Sequence, residues 1–235
     1  MSARRVVGNP IILAIDAVSI ILGSIGAYYV VFAIELPPAL ADAGPWQFLT
    51  NLSLVYSLII FGIGFVAHLT KSQLLFELKN NIHPIGLALE SVVAIIYWPL
   101  RLFFLRLLIG DHELNLPMSI DLCIHLLPVS SLLIDFLVFM PRWTIRIETA
   151  FLIVAGLTTG YWTLLKYLID TEKGGIYPYA FLNVDSEQKR IVVFSIVAAV
   201  GFTQFLFLRS LYDNLIKFTE QVEDEIDSEL EKKNL

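Results

Sequence analysis

A single cysteine, Cys123, stands among 235 residues, which excludes a disulfide framework and any multi-cysteine metal site. Charge is scarce as well. Only 16% of residues are charged, against roughly 25% in ordinary soluble domains. Strand-like alternation, internal repeats and low-complexity tracts are missing. So are the HExxH, P-loop, G-x-S-x-G and strand-linked G-x-G-x-x-G motifs, which leaves the metalloprotease, nucleotide and serine-elbow chemistries without a carrier. What the chain has is apolar surface: 57% of residues are hydrophobic and the mean hydropathy is +0.72. A soluble domain of roughly this size still exposes about a quarter to a third of its chain surface, so it could not hide that much. Soluble enzymes and nucleic-acid binders are excluded. The composition is that of a polytopic membrane protein.

A membrane-crossing helix needs about 20 mostly apolar residues. Six segments qualify, at residues 11–34, 46–69, 85–109, 118–139, 147–169 and 191–212. The expected fold is an all-α bundle of six transmembrane helices. Pro10, Pro45, Pro84 and Pro117 stand where first helical positions are expected, because a missing N–H costs nothing there. The first segment is too long for a cleaved leader and reads as a signal anchor. Lysines and arginines set the orientation. With the N-terminus in the cytoplasm, Arg4, Arg5, Lys71, Lys79, Arg142, Arg146, Lys217, Lys232 and Lys233 fall on the cytoplasmic side, against Lys173, Lys189 and Arg190 opposite. Both termini are then cytoplasmic. The domains are a short segment at 1–10, the membrane domain at 11–212 and a tail at 213–235.

The tail carries most of the net charge of −6. From residue 211 onward there are eight acids and three bases. Leu211, Leu215, Phe218, Val222, Ile226 and Leu230 recur at helical spacing, so the sixth helix should continue as an acidic amphipathic helix. Its acidity disfavours an anionic lipid surface and leaves a cytosolic partner as its functional reading. Lys232-Lys233 points to the endoplasmic reticulum, with the plasma membrane as the alternative.

A charged group in mid-membrane costs about 2.5–3.5 kcal/mol on the insertion scale. Here such groups sort into two layers. Asp16, His68, Glu90, Asp135 and Arg209 lie near the cytoplasmic ends of their helices, where pairing and capping explain them. Arg101, Arg106, Lys166, Asp121 and His125 lie toward the opposite face. The positive-inside rule would not put three cations there. Arg106 and Lys166 are near enough to the interface to snorkel. Arg101 is about 13 Å deep at 1.5 Å per residue and needs a partner, either Asp121 or a lipid carboxylate. His125 is about 12 Å deep, with Asp121 one helical turn before it on the same face. Thr50, Ser53 and Ser57 form one polar stripe on the second span, with Thr50 about 7 Å deep. A hydroxyl and an imidazole at similar depth on inward faces can form a nucleophile–base pair; helix packing is the plainer use of such a threonine. Gly156 and Gly160 form a small-xxx-small pattern whose default role is close helix packing. Trp98 should line a core or cavity, while Tyr161, Trp162, Tyr177 and Tyr179 suit the membrane interface. The four histidines, His68, His83, His112 and His125, fall at different depths, so neither a metal nor a cofactor is expected.

The stretch Gly44-Pro45-Trp46-Gln47-Phe48-Leu49-Thr50-Asn51, leading into Phe61-Gly62-Ile63, resembles the Trp-x-x-Leu-Thr segment of the androgen-induced gene family of membrane proteins. Residues 116–135, with His125 eight residues after Pro117 and Asp135 ten beyond it, are similar to that family's fourth span. Gly160-Tyr161, Ile176-Tyr177-Pro178 and Phe181-Leu182 match its fifth helix and following loop. The likeness covers about residues 11–216. It implies a six-span hydrolase of fatty acid esters of hydroxy fatty acids, with Thr50 as nucleophile and His125 as its base. Asp121, and Leu126, Leu127 and Pro128, depart from the family's pattern. Asp121 would orient the imidazole. Arg101, with Arg106 or Lys166, would bind a substrate carboxylate, and Asn51 or Ser53 would supply an oxyanion donor. The rival reading is a non-catalytic lipid-binding scaffold or small transporter. Absence of a repeat, and a polar layer set toward one face, argue against transport.

Overall fold

The computed structural model describes residues 5–110 and 116–233, with side chains as far as Phe218. Among the described residues there is no strand, and six helices are long and apolar enough to cross a membrane. We label them α1 (Pro10–Ala33), α2 (Leu49–Thr70), α3 (Gln73–Phe103), α4 (Met118–Phe139), α5 (Ile147–Leu168) and α6 (Glu187–Lys233).

Local chemistry sets most of the boundaries. Asn9 accepts from the Ile11 N–H, and Pro10 occupies the first turn of α1, as N-caps and N1 prolines do. Lys71 caps α2 in the left-handed conformation at φ 56°, and the Ser72 hydroxyl accepts from the Leu75 N–H to start α3. The α2–α3 connection is therefore only a tight turn. This corrects the sequence expectation for the third span. It begins at Gln73, not near 85, and Pro84 lies inside the helix. Pro45 opens a short 3-10 turn (Pro45–Gln47) ahead of α2, and Pro117 is the N-cap of α4. The sixth span starts at Glu187 and the helical backbone continues to Lys233.

α2 is the central strut. It packs on α1, α3 and α4, and its Thr50, Ser53 and Ser57 are all buried. Where α1 crosses α4, Gly26 is required. A Cβ there would lie 2.6 Å from Ile124 Cγ2 and 3.3 Å from Cys123 Cβ. At the end of the bundle that holds the N-terminal segment, an apolar core joins α2, α3, α4 and α6. Phe136 stacks on Trp143 at 4.0 Å, and Trp143 stacks on Phe205 at 5.6 Å.

The early start of α3 also reassigns Lys79. Counted as a cytoplasmic loop cation from sequence, it is fully buried. Its Nζ lies 2.6 Å from Asp135 Oδ2, with His83 Nε2 at 3.4 Å from the same oxygen. Asp16 is buried beside them over the bare backbone of Gly64, where a Cβ would come within 2.6 Å of its Oδ2. The other inner-layer groups have separate partners. Glu90 accepts from Ser57 at 2.8 Å, Gly8 donates to His68 at 3.1 Å, and Arg209 donates to the Ile145 carbonyl at 3.1 Å.

α5 is set apart. It buries Ala150 and Leu165 and packs mainly against α6. Gly156 and Gly160 do not mediate close packing. A Cβ at either would meet nothing within 4 Å, and both are exposed along a half-open cavity lined by α2, α3, α5 and α6.

Candidate active site

Thr50 sits in the first turn of α2, and the segment before it is locked from several sides. Gly44, at φ +68°, takes a backbone conformation that favours glycine. Gln47 is fully buried and donates to the Leu40 and Gly44 carbonyls at 2.7 and 2.9 Å. Asn51 donates to the Pro45 carbonyl at 2.8 Å. Tyr161 donates to the Gln47 carbonyl at 2.7 Å, and Leu49 N–H donates to the Tyr179 hydroxyl at 3.0 Å. The threonine hydroxyl is thus presented from a rigid helix start.

His125 ends the first half of α4. Pro128 has no N–H to give the Ile124 carbonyl, and the helix is interrupted at Leu126 before resuming at Leu127. The imidazole is therefore carried at a break in the helix. Its Nε2 is 3.4 Å from Thr50 Oγ1, the long end of hydrogen-bonding distance. Its Nδ1 is 2.8 Å from Asp121 Oδ1. A proton on Nδ1, held by this carboxylate, leaves Nε2 as an acceptor facing the threonine. Catalytic hydrogen bonds are often longer in the free enzyme than in its substrate complex.

Asp121 is fully buried and takes two further donors: Tyr97 Oη at 2.6 Å and Arg101 Nε at 3.3 Å. Tyr97 also lies flat on the imidazole, with ring centroids 3.4 Å apart and planes within 6°. Sequence inspection overlooked Tyr97. Its signal was the four-residue spacing to Arg101, which puts both on one face of α3.

The basic residues do not gather as expected. Arg101 is at the site, its side chain 30% exposed and lining a cavity beside His125. Arg106 is exposed on the short helix Leu105–Ile109, past a break at Phe104, and lines neither cavity described below. Lys166 pairs with Glu187 and lies 5.0 Å over the Trp162 ring. Of the expected oxyanion donors, Ser53 gives its one proton to the Thr50 carbonyl at 3.0 Å, while Asn51 uses one of its two amide N–H groups on the Pro45 carbonyl. Tyr179, expected as an interface anchor, instead touches Thr50. Burial pushes its hydroxyl pKa up, while hydrogen bonding with Thr50 and with the Leu49 N–H pulls it down. The outcome is a net rise, so the hydroxyl keeps its proton. Among the described histidines, His68, His83 and His125 have separate partners; His112 lies outside the described residues.

Two cavities meet at this point. One, about 450 Å³, is almost wholly apolar. The other, about 120 Å³, includes Asn51, Tyr97, Arg101 and His125. Thr50, Leu108 and Tyr179 line both.

The model of the FAR-17a/AIG1-like protein family matches residues 12–213. The UPF0641 membrane protein YHR140W of Saccharomyces cerevisiae is 33% identical, across 79% of this chain and 84% of the yeast protein. The UPF0641 membrane protein PJ4664.05 of Schizosaccharomyces pombe is 27% identical, across 71% of this chain and 74% of the relative. No solved structure matches. With the family model spanning all six membrane helices, this multi-pass membrane protein belongs to the FAR-17a/AIG1-like family.

Proposed function

We propose that the protein is an intramembrane lipid esterase acting on fatty acid esters of hydroxy fatty acids. The observation that supports this best is the chain Thr50–His125–Asp121, from a buried hydroxyl through an imidazole to a buried carboxylate, at 3.4 and 2.8 Å. Such a nucleophile–base–orienter arrangement is recognised by its geometry and roles, not by chain order.

In the proposed reaction, Thr50 Oγ1 attacks the ester carbonyl carbon while His125 Nε2 takes the hydroxyl proton. Asp121 stabilises the imidazolium. The tetrahedral oxyanion accepts a hydrogen bond from the Tyr179 hydroxyl. As the intermediate collapses, the bond to the alkoxide breaks and His125 returns the proton to it, leaving an acyl-threonine. A water, deprotonated by His125, then attacks the acyl carbon. The fatty acid leaves and Thr50 regains its proton. Acid–base help of this kind is worth roughly 10²–10⁴ in rate. Tyr97 acts as a positioning residue, holding the ring by stacking and the carboxylate by its hydroxyl. Arg101, reaching into the smaller cavity, offers a guanidinium to the free carboxylate of the hydroxy-acid half. The positive-inside rule supports a site nearer the non-cytoplasmic face, with the acidic end of α6 in the cytosol, available to a partner.

Purified protein in detergent, supplied with a fatty acid ester of a hydroxy fatty acid, tests the reading. Thr50→Ala and His125→Ala should each abolish hydrolysis while thermal denaturation stays within a few degrees of wild type. Full activity in either variant overturns the Thr50–His125 assignment, and absence of hydrolysis by the wild-type protein favours a non-catalytic lipid-binding scaffold.

A further inference from the structure

The larger cavity has a chemical character of its own. On α5 its lining runs from Ala150 to Leu164, roughly 21 Å at 1.5 Å per residue. One leaflet of bilayer hydrocarbon is about 15 Å, half of the roughly 30 Å core. At about 450 Å³ the cavity falls within the usual range for ligand pockets. One end is at Thr50, in the first turn of α2. The other approaches the opposite membrane face, where α5 begins.

The hydroxyls along the wall are spent on backbone carbonyls. Ser53 donates to Thr50, Tyr56 to Ile82, Thr158 to Val154 and Tyr161 to Gln47. Each has thereby given away its only proton, so the wall beyond Thr50 and Tyr179 offers an occupant no hydroxyl donor. A ligand there must be apolar along its length and polar only at the Thr50 end. Gly156 and Gly160 widen this space, since a side chain at either would project into emptiness. The charged and titratable groups of the site, Arg101 and His125, line the other cavity.

We infer that the larger cavity is the subsite for the ester's long unbranched acyl chain, with Gly156 setting the length accepted. The inference rests on Thr50 being the nucleophile. The acyl carbonyl sits at Thr50 and its chain runs along the glycine face of α5. The alcohol half of the ester, with its carboxylate, lies in the smaller cavity by Arg101. Gly160 is near the level of Thr50, because its neighbour Tyr161 bonds the Gln47 carbonyl. Gly156 is one turn deeper, roughly 6 Å.

The test uses full-length protein in detergent with 4-nitrophenyl butyrate and palmitate. Gly156→Leu should lower kcat/KM for the palmitate ester by about tenfold or more, the scale at which pocket size discriminates apolar groups. The butyrate ester should be hydrolysed within about twofold of wild type. Gly160→Leu, nearer the reacting carbon, should lower both. In esters of varied alcohol length and constant acid, neither variant should alter the length preference. An unchanged butyrate-to-palmitate ratio, or a penalty that tracks the alcohol, overturns the assignment. Photo-crosslinking of wild-type protein with palmitate carrying a terminal diazirine gives a readout without turnover. Labels should fall on α5 between Ala150 and Gly156 or on the facing part of α6. Labels confined to residues of the smaller cavity refute the subsite. Correct labelling without any ester hydrolysis would sink the esterase reading and leave the acyl site standing. Hydrolysis with an unchanged length profile would do the reverse.

Discussion

Replacing Asp121 by Asn removes the charge to which the proposed hydrolysis assigns stabilisation of the imidazolium. Asp121 Oδ1 is 2.8 Å from His125 Nδ1 and 2.6 Å from Tyr97 Oη, and Oδ2 is 3.3 Å from Arg101 Nε. Asn has nearly the same shape, but its amide is acceptor at one atom and donor at the other. If its oxygen faces His125, the NH₂ meets the Arg101 guanidinium, donor against donor. If it turns over, the NH₂ faces Nδ1, which must then accept, and the proton moves to Nε2. The imidazole could then no longer take the Thr50 proton. In either pose the imidazolium formed during attack loses its counter-charge. For charge centres about 4 Å apart at an effective dielectric near 20, that attraction is about 4 kcal/mol, which is close to a thousandfold in rate. The assay is steady-state hydrolysis of a 4-nitrophenyl fatty ester by the detergent-purified variant. The loss should fall on kcat with KM little changed, because the interaction strengthens only as charge develops. A variant that folds normally and keeps kcat within tenfold of wild type would refute the role given to Asp121.

Arg101→Gln should reduce turnover of esters bearing a free carboxylate by about tenfold or more, while their methyl esters change little; equal loss on both substrates argues against carboxylate binding. Lys79→Met should destabilise the fold severely, by about 3–5 kcal/mol, since Asp135 and Asp16 would be left buried without their cation. The double variant Lys79→Met/Asp135→Leu should recover much of the thermal stability, and a single variant that melts like wild type would show the pair to be dispensable. Gly26→Ala forces Ile124 or the α1–α4 contact to shift, which should cost about 1–3 kcal/mol and lower activity too, because Ile124 adjoins His125. Retained melting temperature and activity would mean that this crossing tolerates the added carbon.

Membrane character, six spans and an acidic helical end were legible in the residues themselves, because hydrocarbon demands continuous apolar helices whatever the tertiary arrangement. The pairing of Thr50 with His125 was also within reach, since helical rise converts residue number into depth and both fall toward the same face. The local turn of α4 brought Asp121 to His125 by spacing alone. Depth is one coordinate only, however. It cannot say which way a helix is turned about its axis or which neighbour it meets. That is why Lys166, at a plausible depth, pairs with Glu187 and does not join Arg101, and why Tyr97 went unremarked and Tyr179 was read as an interface anchor until α3 and the loop after α5 were packed against Thr50 and His125. It also explains Gly156 and Gly160. Their spacing permits close packing, but only the separation of α5 from α2 and α3 decides that they border a cavity. The start of α3 was misjudged because Pro84 reads as a beginning in sequence. The cap at Ser72 and the buried pairing of Lys79 with Asp135 favour a longer helix that absorbs the proline. The sequence alone determined the solvent and the layer of most polar groups, Lys79 being the exception. The tertiary packing decided which of those groups touch, because contact depends on helix rotation and neighbours that no single segment encodes.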